Sequence, residues 1–437
     1  MTVLNSFLLL YLTVSSPFFL TLPGENNKST LVLKNAEYNS NTLIDGKWVN
    51  FLKGNVTFEY NEGTIAADQA TWYHSDNKIL FQYNINATME GKQLSCERID
   101  FLRNDKKIIA STNIRFFDPI ENVRITAQSA EYILDKKILT LTIDPEIHYY
   151  DSANSDTISL SSEKMVYNDS LHMATAHNNV AFFDPKEQIH IFSQYAEYLP
   201  EKKYLTLLNS PKMFQYDTAQ SETLTILADT MIYNDSLNVA IAINKVTISR
   251  SLWRSKCKEA TYDVTSGTAK LRVEPWIYYD HDELTGDSID LFFSEKTLRG
   301  VSVMNNVKGL QRDITESDTI FREVTGDSIF MSIGDSNRLE KIWIYKNAKT
   351  LYYTAKQPEY INEAYGKVMI LDFVEGRINT LHILGNAKFF YYLYDKSDSG
   401  KIESSGDSIK IKFKNGEATF MTITGAVRGT YFSKRSQ

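Results

Sequence analysis

The chain has 437 residues, 43% of them hydrophobic and 12% aromatic, and is long enough for two or three ordinary domains or for one extended repeat array. Its formal net charge of −7 gives no electrostatic footprint for nucleic acid, so no nucleic-acid partner is expected. Two cysteines are too few for a disulfide framework, and the enrichment in Tyr, Phe, Thr, Ile and Val is typical of half-buried strands.

The first 24 residues contain the longest apolar run of the chain. Its two parts, residues 7–14 and 18–20, together have about the size of a signal-peptide core and are marginal for a membrane span. No Lys or Arg precedes the run, since the first is Lys28, and no small-x-small cleavage site is clear. Residues 1–24 are interpreted as a signal peptide, with an uncleaved N-terminal anchor and a buried strand as the alternatives.

From residue 25 onwards, one short unit recurs about twelve times. Each unit places a small residue five positions before a large apolar or aromatic residue. The small residues are Ala67, Cys96, Ala127, Ser162, Ser193, Ala228, Cys257, Gly286, Gly326, Gly366 and Gly406. The large residues are Trp72, Phe101, Tyr132, Tyr167, Tyr198, Tyr233, Tyr262, Leu291, Met331, Leu371 and Ile411. Successive units are 29 to 35 residues apart in the region 25–281 and 40 apart in the region 282–437.

The second half of each unit alternates apolar and more polar residues, which predicts a strand with one buried face. The apolar positions of these strands are Leu139, Leu141, Ile143, Val239, Ile241, Ile243, Val301, Val303, Ile342, Ile344, Leu381, Ile383, Met421 and Ile423. These residues are the candidate lining of an apolar binding surface. An ordinary closed core is the alternative for any one of them.

Two features of the unit predict a bend. In the first strand, apolar parity changes at the small residue, as in Ile125 and Ala127 followed by Ala130 and Tyr132. A bulge or corner at a small residue would produce this change. In the second strand, a residue that punctuates or bends strands follows the alternating stretch, and aromatic residues come next. These residues are Asn113, Pro145, Asn179, Pro211, Pro275, Asn347 and Asn386. A stack of bent strand pairs predicts a rolled sheet.

The sequence carries no pattern that indicates catalysis. The seven histidines fall at different repeat positions and none has the i, i+4 spacing of a metal-binding helix. Cys96 and Cys257 occupy the small-residue position, which favours small buried residues over a redox or metal role. The acidic residues of the Gly-Asp-Ser segments recur with the repeat, which favours turn chemistry. We therefore expect no enzyme activity, no cofactor and no metal site.

Several segments resemble the OstA-like family, relatives of the lipopolysaccharide transport protein LptA. They are Gly54-Asn-Val-Thr-Phe, Ala67-Asp-Gln-Ala-Thr-Trp-Tyr, the Gly-Asp-Ser-Ile starts at Gly286, Gly326 and Gly406, and Gly385-Asn-Ala-Lys-Phe-Phe-Tyr-Tyr. The resemblance extends over roughly residues 30 to 432, and it is to the larger members of the Bacteroidetes type.

The resemblance implies an all-β fold, a repeat-built β-jellyroll formed by an open rolled antiparallel sheet. It also implies a periplasmic bridge protein, with outer-membrane association as a variant, that shields lipopolysaccharide acyl chains in an apolar trough. The implied partners are lipopolysaccharide and, through edge strands at residues 31–38 and 411–432, other jellyroll transport proteins or further copies of this chain. The units of region 282–437 would continue the first jellyroll or form a second one.

Two other classes of protein remain open at this point. A parallel β-helix enzyme acting on polysaccharide would also show repeats, but it predicts shorter coils and one cluster of acids on adjacent coils. A cell-surface structural or adhesion array would share the repeat and differ in location.

Overall fold

A computed structural model describes residues 31–60, 63–89, 91–151, 156–217, 222–234, 236–294, 297–314, 318–335, 338–375, 377–394, 399–414 and 417–433. The predicted signal peptide at residues 1–24 lies outside this range. The described chain is all-β, as the alternation predicts, with two short 3-10 turns at Asp169–Leu171 and Pro200–Lys202. Contacts divide it into a first unit, residues 1–225 and 229–238, and a second unit, residues 226–228 and 239–437.

The strands of the first half of the chain are β1 Val32–Asn35, β2 Tyr38–Ile44, β3 Lys47–Tyr60, β4 Gly63–Tyr73, β5 Lys78–Met89, β6 Lys92–Leu102, β7 Lys107–Asp118, β8 Val123–Ile133, β9 Ile138–Thr142, β10 Glu146–Asp151, β11 Asp156–Ser161, β12 Lys164–Asn168, β13 Met173–Asp184, β14 Ile189–Leu199, β15 Tyr204–Leu208 and β16 Lys212–Asp217. Those of the second half are β17 Glu222–Leu227, β18 Thr230–Asn234, β19 Val239–Arg250, β20 Trp253–Asp263, β21 Thr268–Arg272, β22 Trp276–Tyr279, β23 Asp282–Thr285, β24 Ser288–Ser294, β25 Thr297–Ile314, β26 Thr319–Ile333, β27 Leu339–Thr354, β28 Asn362–Val374, β29 Arg377–Tyr394, β30 Ser399–Lys414, β31 Glu417–Thr424 and β32 Arg428–Ser433.

Neighbouring strands pair antiparallel in both units. In the first unit, β3 pairs with β4, β4 with β5, and the ladder continues strand by strand to β8. In the second, β25 to β30 form an equivalent ladder of long strands. This antiparallel architecture confirms the predicted fold class. A parallel β-helix pairs its strands in parallel, so that alternative is wrong for this chain.

A corner interrupts the second strand of every repeat. At each corner, two consecutive residues have positive φ, the left-handed conformation that bends and bulges a strand. The corners within the described chain are 54–55, 83–84, 112–113, 143–144, 178–179 and 209–210 in the first unit, and 244–245, 273–274, 305–306, 346–347, 385–386 and 425–426 in the second. In the second strands, the residues before the corners form what we call sheet I, and those after the corners form sheet II. Residues of the first strands belong to the sheet whose residues they pair with.

The predicted bend therefore exists, and its position is now defined. Asn113, Asn179, Asn347 and Asn386 are the second residues of their corner pairs, and Pro145, Pro211 and Pro275 directly follow a pair. The small residue lies opposite the corner on the preceding strand. For example, the register between β26 and β27 shifts between Thr325 and Ser328, opposite the corner at 346–347, and Gly326 lies within this interval.

Side chains of the second strand explain why this position must be small. A Cβ atom added to Gly286, Gly326, Gly366 or Gly406 would lie 2.5 to 2.6 Å from a γ-carbon of a β-branched residue on the next strand. Those γ-carbons belong to Val303, Ile344, Ile383 and Ile423. They are attached directly to Cβ, so they cannot swing away without a change of rotamer.

The residue after the small position closes the corner. Its backbone N–H donates to a corner carbonyl, as Asp287 does to Asn305 at 3.0 Å. Its side chain also accepts from a corner amide in several repeats. Asn306 donates to Asp287 at 2.9 Å, and Asn347 donates to Asp327 at 2.9 Å. We call this residue the corner clamp.

The buried core of each unit lies between sheet I and sheet II. In the first unit, Phe58 of sheet II packs edge-to-face on Phe81 of sheet I with ring centroids 5.4 Å apart. Both side chains are at most 1% exposed. The two sheets therefore pack face to face through their apolar sides, as alternating strands require.

Replacing Gly326 with alanine should destabilise the protein by about 1 to 3 kcal/mol, because the new methyl group overlaps the Ile344 side chain. Urea unfolding measures this change. Gly429→Ala is the matched control, since its added Cβ would meet no atom closer than 4.0 Å, and it should change stability by less than about 0.5 kcal/mol. In an Ile344→Ala background the cost of Gly326→Ala should fall, and strict additivity of the two changes would contradict the explanation.

Candidate functional site

An unbroken apolar row crosses sheet I of the second unit. Cross-strand pairing joins its members one strand after another from β21 to β31. The row consists of Leu271, Ile289, Val303, Ile329, Ile344, Met369, Ile383, Ile409 and Ile423. All but the last are 0 or 1% exposed. The row is continuous because its members occupy equivalent positions, counted from the corner, in successive repeats. They therefore point to the same face of the sheet.

A second row lies beside the first, two residues further from the corner. It contains Ala269, Leu291, Val301, Met331, Ile342, Leu371, Leu381, Ile411 and Met421. Several of these are the large residues of the repeat template. Sequence reasoning assigned them to the repeat but did not include them in the lining.

The corresponding row of the first unit has smaller side chains. It runs through Leu52, Ala70, Phe81, Ile99, Ala110, Ala130, Leu141, Met165, Ala176, Ala196, Leu207 and Met231. Bulky residues of sheet II, such as Val56, Phe58 and Phe182, complete this core and are at most 2% exposed. Sheet II of the first unit therefore contributes bulky side chains to the interior.

The opposite arrangement occurs in the later strands of the second unit. There the buried sheet II residues next to the corners are Ala348, Ala364, Ala387 and Ser404, all at most 7% exposed. Bulky aliphatic side chains of sheet I thus face a wall of methyl and hydroxyl groups. Such a wall interdigitates less with the opposing sheet than the Phe-rich wall of the first unit does.

The structure buries eight of the fourteen predicted lining residues. Leu139, Leu141, Val301, Val303, Ile342, Ile344, Leu381 and Ile383 are between 0 and 7% exposed, and all except Leu139 belong to the apolar rows described above. Met421 and Ile423 belong to the same rows on β31 but are 37% exposed and half-buried, respectively. The rows of the second unit are therefore accessible at this end. Whether lipid contacts any of these residues stays a prediction.

The other four predicted residues lie elsewhere. Ile143 is the first residue of a corner, with φ of 63°, and is 58% exposed. The alternation ends before it, so it does not lie in the row that contains Leu141. Val239, Ile241 and Ile243 are half-buried, while Ala242 is the buried residue of that stretch. Ala242 pairs with buried Ala260, so the apolar row passes through the alanines of β19 and not through its larger aliphatic residues.

Strands at both ends of the array present exposed apolar side chains. β1 and β2 pair with β3, and their residues Val32, Tyr38 and Leu43 are 42 to 56% exposed. β31 and β32 pair with β30, and Phe420 and Phe432 are 61% and 52% exposed. These are the edge segments that the sequence predicts at residues 31–38 and 411–432.

Both cysteines lie in the interior. Cys96 and Cys257 are 4% and 7% exposed and free of disulfide bonds. Burial raises the pKa of the Cys96 thiol to about 12 and that of Cys257 to about 11. At neutral pH both are protonated thiols and poor nucleophiles.

The described part of the chain contains no group of three or more His, Cys, Asp or Glu side chains placed to hold a metal ion. Nor does any helix in that part have the length and apolar character needed to cross a membrane. The chemistry of the apolar rows is that of an aliphatic surface. It can exclude water and bury aliphatic chains.

Comparisons with known proteins identify no family. No family model matches the chain, and no curated protein matches it. Among solved structures, it is similar to Pseudomonas aeruginosa LptH, described as the LptA-homologous periplasmic component of the lipopolysaccharide transport device. The alignment has 16% sequence identity and a TM-score of 0.23, and it covers 29% of this chain and 80% of LptH. A TM-score this low does not bear on function.

The thiols should resist labelling by a disulfide reagent at pH 8 until the protein unfolds, because burial keeps them protonated. Above the unfolded-state thiol pKa of about 8.5 the unfolded chain loses these protons first, so this contribution to stability falls as pH rises towards 11 to 12. Thiol release followed by absorbance, with and without denaturant, tests this. Cys96→Ala and Cys257→Ala variants assign each signal, and labelling of the native protein at the unfolded rate would contradict it.

Proposed function

We propose that the protein is a non-enzymatic lipopolysaccharide-binding bridge that shields acyl chains during transport to the outer membrane. The observation that carries this proposal is the unbroken apolar row of the second unit. This row and the one beside it cross nine strands and end in the accessible residues Ile423 and Met421, respectively. The sequence resemblance to the OstA-like family supports the same ligand class.

The energetics favour the acyl chain as the main source of affinity. Each methylene transferred from water to an apolar surface contributes about 0.8 kcal/mol. A protein with a net charge of −7 gains little from its overall field for a phosphorylated ligand. A few buried methylenes therefore outweigh the general electrostatic contribution.

Entry beyond the accessible end requires the two sheets to separate. Ile344 and Ile383 are 0% exposed, so a chain that reaches them displaces contacts with sheet II. The residues to be displaced in that region include Ala348, Ala364 and Ala387, whose side chains are single methyl groups. Because fewer dispersion contacts are lost there than at a Phe-rich wall, the second unit is the better place for chain insertion.

The exposed edges support assembly with other β proteins. An unpaired edge offers backbone N–H and C=O groups to an added strand. We propose that β1 and β2 at one end, and β31 and β32 at the other, join further copies or other jellyroll transport proteins. The periplasm is the compartment that fits this role. A cell-surface array remains the rival, and fractionation of cells into periplasm, membranes and surface distinguishes the two.

A photoreactive amino acid at position 423 should crosslink to lipopolysaccharide, because Ile423 lies at the accessible end of the apolar row. The same photoreactive group at position 422 is the matched control. Thr422 is exposed on the same strand, and strand alternation points it to the opposite face. Crosslinked lipid is detected by immunoblot after purification.

Position 383 tests deeper insertion in the same assay. Labelling at 423 and 383 but not at 422 is the expected result. Equal labelling at 422 and 423, or labelling at 422 alone, would contradict the proposed binding surface.

The double change Phe420→Lys and Phe432→Lys should abolish concentration-dependent self-association, since lysines on an edge strand disfavour pairing. The unfolding midpoint should stay unchanged because both side chains are exposed. Sedimentation velocity over a range of concentrations measures association. Tyr345→Lys, a change at a 42% exposed aromatic residue of sheet I, is the control and should leave it intact. Unaltered association in the double variant would exclude the C-terminal edge as an interface.

A further inference from the structure

One of the four repeats of the second unit that begin with glycine departs from the corner clamp that the other three share. In the repeats that begin at Gly286, Gly326 and Gly406, the clamp residue is an aspartate, namely Asp287, Asp327 and Asp407. In the repeat that begins at Gly366, it is Lys367. Its corner is Gly385–Asn386, with φ of 74° and 52°.

A lysine also replaces the acid in one other repeat, but there the corner compensates. Lys258 forms an ion pair at 2.9 Å with Glu274, which belongs to the corner opposite it. Lys367 has no such partner, because the described residues place no carboxylate within ion-pair distance of it. Gly385 accommodates the lysine stem, since an added Cβ would lie 3.0 to 3.1 Å from three Lys367 carbons. The exposed ammonium group of Lys367 therefore forms no ion pair with the described residues that would explain a lysine at this position.

A groove of about 900 Å³ begins at this corner and follows the outer side of sheet II. Its lining includes the rings of Tyr365, Phe390 and Tyr392. Tyr365 and Phe390 meet edge-to-face with centroids 6.0 Å apart. Tyr360, from the segment between β27 and β28, packs on Tyr392 at 5.4 Å, so this segment closes the far end. From position 388 to 392 along β29 the groove extends about 13 Å, enough for one or two sugar rings.

Four lysines surround these rings, and among the described residues that line the groove the only carboxylate is Glu363. The ammonium groups of Lys349 and Lys401 lie 5.1 and 5.0 Å from the ring centroids of Tyr365 and Phe390. Lys349 is 3.8 Å from Glu363, and Lys401 forms an ion pair with Glu403 at 2.7 Å. Lys388 is exposed and, like Lys367, has no ion-pair partner within the described chain. The groove therefore carries a local positive charge on a protein that is negative overall.

We infer that this groove binds a phosphorylated saccharide. Aromatic rings offer apolar faces that the C–H faces of a sugar can cover, and lysines bind phosphate as mobile point charges. Lys367 and Lys388 hold the phosphate, and Phe390 and Tyr392 support the sugar ring. The inference rests on the proposed function in one respect only, the source of the saccharide as the headgroup of the carried lipid.

The decisive variant is Lys367→Asp, which restores the residue of the equivalent repeats. The introduced carboxylate would accept from Asn386 as Asp327 accepts from Asn347, so the fold should be retained. Binding of glucosamine 1-phosphate, measured by NMR titration, should weaken about tenfold or more with loss of the charge-assisted contact. Lys388→Gln provides a second variant that does not alter the corner. Lys412→Asp, the same charge change at an exposed lysine of β30 outside the groove, should bind as the wild type does.

The outcomes separate this inference from the proposed function. Loss of glucosamine 1-phosphate binding in Lys367→Asp and Lys388→Gln, with binding kept in Lys412→Asp, supports the groove. If this pattern is observed but lipopolysaccharide does not label position 423, the groove is still supported as a binding site, with a soluble phosphosugar as its ligand. If lipopolysaccharide labels position 423 in Lys367→Asp as in wild type, while glucosamine 1-phosphate is lost, headgroup and chain occupy separate sites.

Three results would overturn the inference: no binding of glucosamine 1-phosphate by the wild type, equal binding by Lys367→Asp, or tighter binding of an oligothymidylate than of the phosphosugar. None of these results alters the test at position 423. Unphosphorylated glucosamine should bind more weakly than its phosphate, because it lacks the group that the two lysines hold.

Discussion

The corner is the constraint on which the rest of the structure depends. Two consecutive residues in the left-handed region cost about 1 to 2 kcal/mol each for most side chains. Every repeat adopts this pair, including at residues as unfavourable as Ile143 and Val273. The offsetting gains are the clamp hydrogen bonds and the burial of the apolar rows on both sides of the corner. Without the corner the alternating strands would form a flat sheet with one apolar face in water.

The small residue and the corner depend on each other. A Cβ at Gly326 would reach Ile344, so the bend on one strand dictates the residue type on its neighbour. Where the facing side chain permits, Ala, Ser or Cys occupies the same position. The two cysteines are therefore explained by packing, and their burial keeps them protonated.

Much of this fold could be predicted from the sequence, because period-two alternation and a fixed repeat report directly on strand faces. The change of parity at the small residue also predicts a bend, and the structure places the corner opposite that residue on the neighbouring strand. The left-handed pair itself could not be located, because Thr, Ile, Val and Lys occupy it as well as Asn and Gly. For the same reason the alternation predicts a buried strand position at Ile143, which in the structure belongs to a corner.

The predicted buried face of the strand around Ile241 is wrong for a different physical reason. Isoleucine is more apolar than alanine, so the larger residues of β19 were the natural choice for the buried face. Their neighbours Ala240 and Ala242 pair with Tyr262 and Ala260, and this register places Ala242 inside. Counting residues from the corner, and not hydrophobicity, would have selected the correct face.

The recurring aspartates behave as their repetition indicated. Asp287 and Asp327 are corner clamps that accept hydrogen bonds from the corner residues Asn306 and Asn347. Lys367 was visible in the sequence as a departure from the Gly-Asp-Ser pattern. The role of Lys367 could not be inferred from the sequence, because only the fold shows that its corner lacks a compensating acid and opens onto an aromatic groove.

Strand length within the second unit gives that unit a direction. The early strands β19 and β20 have 12 and 11 residues, whereas β25 to β30 have 13 to 18. At 3.3 Å per residue, the 16 residues of β27 span about 13 Å more than the 12 residues of β19. The two ends of the unit therefore differ in the length of strand that they present, and they are not interchangeable. Any filament joined end to end from such chains would inherit that polarity.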